Sequence, residues 1–210
     1  MRQYCFYFFT WILSSCTCTV FSQDKIAQPI VVIDPGHGGM DRGAIGINGI
    51  REKDVVLKIG MEILRLNSEL YGNVLEIYST RYTDTLISLN HRTKLANAIK
   101  ADVFISIHFN QAVRKAAKGI EVYLSKSNRK SENFAKLLAY ESKGKLGLKN
   151  RGVKYGNFQV LREIGNAISV LLELGFLSNN EEAKHIRKWS SISAYALLII
   201  ETILKHYNYD

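Results

Sequence analysis

Three apolar runs in this chain end in the same way. Ile30-Val31-Val32-Ile33-Asp34 is followed by Pro35-Gly36-His37-Gly38-Gly39, Val103 to Ile107 runs directly into His108, and Ile168 to Leu172 runs directly into Glu173. Short, nearly continuous apolar runs bounded by turn signals read as buried strands. Strands apolar on both faces belong to a sheet with helices on each side. In such α/β sheets, ligands collect outside the carboxyl ends of the strands. If the three strands are parallel neighbours, two imidazoles and one carboxylate meet in one crevice.

The rest of the chain supplies the helices. Val55, Ile59, Ile63, Leu66 and Leu70 recur at spacings of three and four, which predicts an amphipathic helix stopped at Gly72 and Asn73. Leu89, Arg92, Ala96 and Ile99 mark a second helix, Ser131 to Lys143 a third, and Glu181 to Lys188 and Ser190 to Tyr207 the last two. Val74 to Thr80, Gly119 to Leu124 and, more weakly, Phe158 to Leu161 complete the strands. Strands alternating with helices predict a single α/β domain, its sheet covered on both faces.

The 210 residues divide into an N-terminal segment and this domain. All three cysteines, Cys5, Cys16 and Cys18, lie in the first twenty positions. Arg2, the apolar stretch Phe6 to Leu13 and the small residues Val20 and Ser22 form an export signal, with residues 1–22 removed and 23–210 kept. Leu13-Ser14-Ser15-Cys16 is the competing reading, a lipobox that would tether the protein to a membrane through Cys16. The expected location is outside the cytoplasm, in the periplasm or cell envelope. The domain has no thiol chemistry, and beyond the first twenty positions no apolar run reaches the ~18 residues of a membrane-spanning helix. A net charge of +9 points to an anionic partner.

The site residues suggest a metal. Glycines around His37 let the backbone turn sharply and hold the imidazole clear of it. A catalytic zinc site takes about three protein ligands and keeps a position for water. With no cysteine in the domain, the third ligand is a carboxylate. Glu52 is the leading candidate, just after the loop Gly46 to Arg51; Asp34 and Asp41 are nearer to His37 in sequence, and spacing alone does not exclude them. The stretch GHGG is not followed by GK[ST], so a nucleotide is not expected; nor is a nucleic acid.

At these residues the chain resembles a family. VVIDPGHGGMDRGAIGINGIREKDVVL at 31–57, Ser79-Thr80-Arg81, ADVFISIHFN at 101–110, Gly119-Ile120-Glu121-Val122-Tyr123, Arg151-Gly152-Val153-Lys154 and LLELGFLSNNEEAKHI at 171–186 are similar, in order, to the zinc-dependent N-acetylmuramoyl-L-alanine amidases of the amidase type 3 group. The resemblance implies a six-stranded, mostly parallel mixed sheet. It implies one Zn2+ on His37, Glu52 and His108, with Glu173 as the catalytic carboxylate. It also implies a peptidoglycan substrate, cut at the amide between the lactyl group of muramic acid and L-alanine. Phe109 stands where a small residue is common in the family, and is expected to reshape the substrate groove.

Two other functions compete: a zinc hydrolase of another cell-wall amide, and a wall-binding module without catalysis. Glu173 has a bland reading as the buried ion-pair partner of Arg162 or Lys154. The basic residues Lys143, Lys145, Lys149, Arg151 and Lys154 read either as a solvated face or as a surface that meets stem-peptide carboxylates. No activator protein is expected to be required.

Overall fold

The computed structural model describes residues 28–126 and 128–208. The export signal, its cleavage point and the lipobox lie outside the described residues. The order of elements is β1 (Ile30–Pro35), α1 (Glu52–Glu69), β2 (Glu76–Ser79), α2 (Leu89–Ala98), β3 (Val103–Asn110), β4 (Ile120–Leu124), α3 (Ser131–Leu146), β5 (Asn150–Tyr155), α4 (Gln159–Arg162), β6 (Ile168–Phe176), α5 (Asn180–His185) and α6 (Trp189–His206).

One six-stranded sheet runs β2-β1-β3-β6-β4-β5. The three apolar runs are neighbours and parallel: Val31 pairs with Val103, Ile105 with Val170, and His108 lies opposite Glu173. The crossovers between them are helical, as parallel neighbours require. β4 reverses direction against β6, placing Glu121 opposite Glu173, and β5 runs parallel to β4. The sheet is therefore mixed, with four parallel strands and a two-stranded edge of opposite sense.

Alternation along the strands divides the core in two. Val31, Ile33, Val103, Ile105, Ile107 and Leu172 face α1, α3 and α6, where Ile59, Ile63, Phe134, Leu138, Ile199 and Ile203 are buried. Val32, Phe104 and Leu171 face the other way, onto Ala96 of α2 and Val160 and Leu161 of α4. Each such aliphatic or aromatic side chain contributes about 1.5–3 kcal/mol when fully buried. Both faces are covered, but the second helical layer is thin.

Two local expectations are corrected. Phe158 to Leu161 is not a strand; Gln159–Arg162 forms one helical turn that buries Val160 and Leu161 side by side. The missing sixth strand is Asn150–Tyr155, whose residues are exposed or half-buried, so no apolar run announces it. Leu70 also leaves the apolar stripe of α1: the helix ends at Glu69, and Leu70 is exposed at its C-cap.

Candidate metal centre

The site forms at the carboxyl ends of β1, β3 and β6, closed on one side by the first turn of α1. His37 follows β1 at φ 58°, a left-handed conformation that L residues adopt at a cost. Two arginines hold this turn by its carbonyls. Arg81 donates Nε to the Pro35 oxygen and Nη2 to the Gly36 oxygen, at 2.9 and 2.8 Å. Arg92 donates Nη1 to the Pro35 oxygen and Nη2 to the His37 oxygen, at 2.8 and 2.7 Å.

Glu52 opens α1, where the positive end of the helix dipole favours a carboxylate. It is buried and accepts from both flanking backbones: Ala44 N–H at 2.7 Å and Phe109 N–H at 2.9 Å. Its oxygens lie 3.0 Å from His37 Nε2 and 2.9 Å from His108 Nδ1. One ligand atom from each of His37, Glu52 and His108 falls within 4.8 Å of the others. The two imidazoles stand edge to face, centroids 4.9 Å apart.

The other two carboxylates are otherwise engaged. Asp34 is buried and bound by Arg92 Nη1 at 2.6 Å, Thr80 Oγ1 at 2.6 Å and Ser106 Oγ at 2.7 Å. Asp41 accepts from His37 Nδ1 at 2.8 Å and so fixes which ring nitrogen turns inward. Burial alone would lower the His37 pKa; the hydrogen bonds and charges of Glu52 and Asp41 outweigh it and raise it to about 9. Burial would raise Glu52, but His108 and His37 hold its carboxyl far below the ordinary range. Where no cation balances Glu52, a proton on His37 does so.

Glu173 differs from all of these. It is paired with neither Arg162, which binds Asn157, nor Lys154, which binds Glu121. Its Oε2 is buried with no hydrogen-bond partner among the described residues. Burial is the main cause that raises its pKa, to about 7, opposed by His108. Glu173, His37, Glu52 and His108 all line one cavity of about 600 Å³, walled by Leu86, Leu89, Phe158 and Val160. Phe109 lines this cavity as well; its ring packs edge to face on Tyr195 and its N–H goes to Glu52.

Two glycines are needed for the ligands to approach. A Cβ at Gly36 would lie 2.2 Å from the His108 ring, and one at Gly43 would lie 2.5 Å from Glu52 Oε2. Gly36→Ala is therefore expected to displace His108 and cut zinc content and activity by at least about tenfold, because a misplaced ligand spoils the coordination geometry. Undiminished zinc in a folded Gly36→Ala protein would contradict this account of the turn.

Two imidazoles and a carboxylate that could hold a metal ion converge on an open cavity, beside a glutamate whose Oε2 has no partner among the described residues, an arrangement suited to a hydrolase. The family model described as N-acetylmuramoyl-L-alanine amidase matches residues 31–205, and the chain belongs to that family. The endolysin of Bacillus phage SPP1 is 35% identical over 173 residues, covering 80% of this chain and 62% of that protein. The N-acetylmuramoyl-L-alanine amidase LytC of Bacillus subtilis is 34% identical over 168 residues, 79% of this chain and 33% of LytC. This chain thus spans from a third to under two thirds of those two relatives. Among solved structures, the catalytic domain of CwlV, an amidase of the same description from Paenibacillus polymyxa, superposes with a TM-score of 0.80 at 35% identity, over 86% of this chain and 99% of that one.

Proposed function

We propose that this protein is a zinc-dependent peptidoglycan amidase. It hydrolyses the amide between the lactyl group of N-acetylmuramic acid and the L-alanine of the stem peptide. The observation that carries the reading is the pairing of a two-imidazole, one-carboxylate cluster with a buried, unpartnered Glu173 oxygen in the same cavity. The donor set fits zinc: two neutral nitrogens and one anionic oxygen, with open space on the cavity side.

Zinc held by His37, Glu52 and His108 supplies Lewis acidity, toward an amide carbonyl and toward water. The rest is done by the chain. Glu173 takes a proton from the attacking water at its unpartnered oxygen and passes it to the departing amine nitrogen. Burial raises the Glu173 carboxyl to about 7 in the metal-free site, and a bound cation would draw it back down. Asp41 orients His37, and Arg81 and Arg92 keep its turn from relaxing. Leu86, Leu89 and Phe158 give the cleft apolar, solvent-exposed walls on which apolar parts of a substrate can pack. The deciding experiment measures zinc in the purified protein and the products released from purified wall. Intact stem peptides with a free L-alanine amine are expected; fragments cut inside the stem would favour the other hydrolase reading.

The domain is read as acting outside the cytoplasm, with peptidoglycan as its anionic partner. It is also read as active without an activator. The segment between β4 and β5 forms α3, which buries Phe134 and Leu138 against the sheet face opposite α2 and α4, away from the cavity. Purified protein with zinc alone is expected to digest wall. Turnover that appears only on adding a second protein would refute this.

A further inference from the structure

The sheet face that carries Glu173 continues past it to the β4–β5 edge. Glu121, opposite Glu173 on β4, is buried and accepts four hydrogen bonds: from Arg151 Nε at 2.6 Å, Lys154 Nζ at 2.6 Å, Tyr123 Oη at 2.8 Å and Asn110 Nδ2 at 3.0 Å. Burial would raise its pKa, but Lys154, Arg151 and Tyr123 hold it below the ordinary range. One carboxylate thus accepts from two cations, and the carboxylates of Glu173 and Glu182 lie within electrostatic reach of the same network.

Both cations are fixed and both reach solvent. The Arg151 guanidinium lies 5.0 Å from the Phe176 ring centroid and Lys154 Nζ lies 5.7 Å from that of Tyr123, with 31% and 37% of their side chains exposed. Arg151 donates only Nε; among the described residues its Nη1 and Nη2 make no hydrogen bond. A guanidinium held by one edge with the other edge free is pre-organised to fork a carboxylate. The network adjoins the cavity twice: Asn110 lines it, and Tyr123 stacks edge to face on Phe158, which also lines it. Lys145, from the same basic stretch, is instead tied to Glu141 and Glu201.

We propose that Arg151 and Lys154 form a subsite for a carboxylate on the peptide side of the bond cleaved at Glu173. This rests on the amidase reading above. Strands lie about 4.8 Å apart, so β5 is about 10 Å from β6. An extended peptide advances about 3.3–3.6 Å per residue. The anion recognised therefore belongs to the second or third residue of the stem, and the substrate class is an acidic peptide, not a neutral one.

The test uses the zinc-loaded protein and soluble muramyl tripeptides that differ only in carrying a carboxylate or a carboxamide at residue two, or at residue three. For the wild type, KM is expected to be about tenfold lower with the carboxylate at one of these positions, with kcat changed little, since a charge-assisted hydrogen bond is stronger than a neutral one and solvent screens part of the gain. Arg151→Gln is expected to raise KM on that substrate to the carboxamide value, Lys154→Gln to do so in part, and zinc content to stay as in wild type. The position that responds identifies the carboxylate. Equal KM for all substrates overturns the subsite and leaves the amidase reading standing. An equal loss by Arg151→Gln on carboxylate and carboxamide substrates also overturns it, because that is the mark of a merely structural cation. Failure of the wild type to release peptide from any of them overturns the amidase reading and the subsite with it.

Discussion

Glu173→Gln is expected to abolish wall hydrolysis almost completely while keeping its zinc. The substitution keeps the size of the side chain and removes the ability to accept a proton. General acid–base groups contribute typically about 10²–10⁴-fold, so kcat falls by at least that order. Glu173 makes no hydrogen bond through Oε2 and does not belong to the ligand cluster, so metal content and wall binding are expected to persist. A second, opposite effect follows from the same burial. The folded-state pKa of about 7 exceeds the ordinary 4.5. Below pH 4.5 the group is protonated in both states and costs nothing. Between 4.5 and 7 the unfolded chain ionises first and stability is lost; above 7 the loss is constant. In zinc-free protein at pH 8, Glu173→Gln is therefore expected to be the more stable, by at most about 3.5 kcal/mol, and at pH 4 to match wild type. Activity within a few-fold of wild type would remove Glu173 from the mechanism. Loss of zinc would make it a ligand instead.

Zinc is expected to leave with either histidine. His37→Ala or His108→Ala removes one of three protein donors, and the loss of affinity should exceed the ~10–100-fold that removing an outer hydrogen-bond partner costs. Asp41→Ala, which removes the partner of His37 Nδ1 and the acceptor of Gly43 N–H but no ligand, supplies that lesser figure as an internal standard. Glu52→Gln should fall with the histidines: it loses the negative charge of the set and leaves Ala44 N–H, Phe109 N–H and both imidazoles facing a neutral amide. Binding should also be proton-coupled. His37 must give up its proton, so below about pH 9 zinc displaces it and affinity drops as pH falls. Titration of the metal-free protein with zinc at several pH values, with proton release recorded, checks all of this. Full zinc retention in His37→Ala or His108→Ala would dismiss the assignment.

The strands and helices that carry the site were legible because each is a run of one physical type. β1, β3 and β6 are continuous apolar runs because both faces of a central strand are buried, and their terminal polar residues stand out against that background. What stayed hidden depends on contacts between distant segments. β5 is an edge strand with a polar sequence; pairing with β4 defines it, not hydrophobicity. Phe158 to Leu161 has the apolar content of a strand, but is too short for its period to separate strand from helix. Asp34 and Asp41 remained open as ligands because spacing carries no information about the arginine that claims one or the ring nitrogen that claims the other. Arg81 and Arg92 were visible as residues, but not as the clamp on residues 35–37.

The sheet order also governs how the domain comes together. Residues 37, 52, 108 and 173 converge through parallel pairings of β1 with β3 and β3 with β6, each joining strands separated by long intervening segments. Such non-local pairing makes folding slow, because loop closure must precede any gain from contact. The donor atoms are far apart until those pairings exist, so zinc has no assembled site to nucleate on. Stabilisation by a bound metal is therefore expected to enter after the rate-limiting step. Interactions absent from the transition state slow unfolding and leave the folding rate nearly unchanged. The persistence of a domain built in this way is expected to follow the lifetime of its folded state, which a bound metal would lengthen.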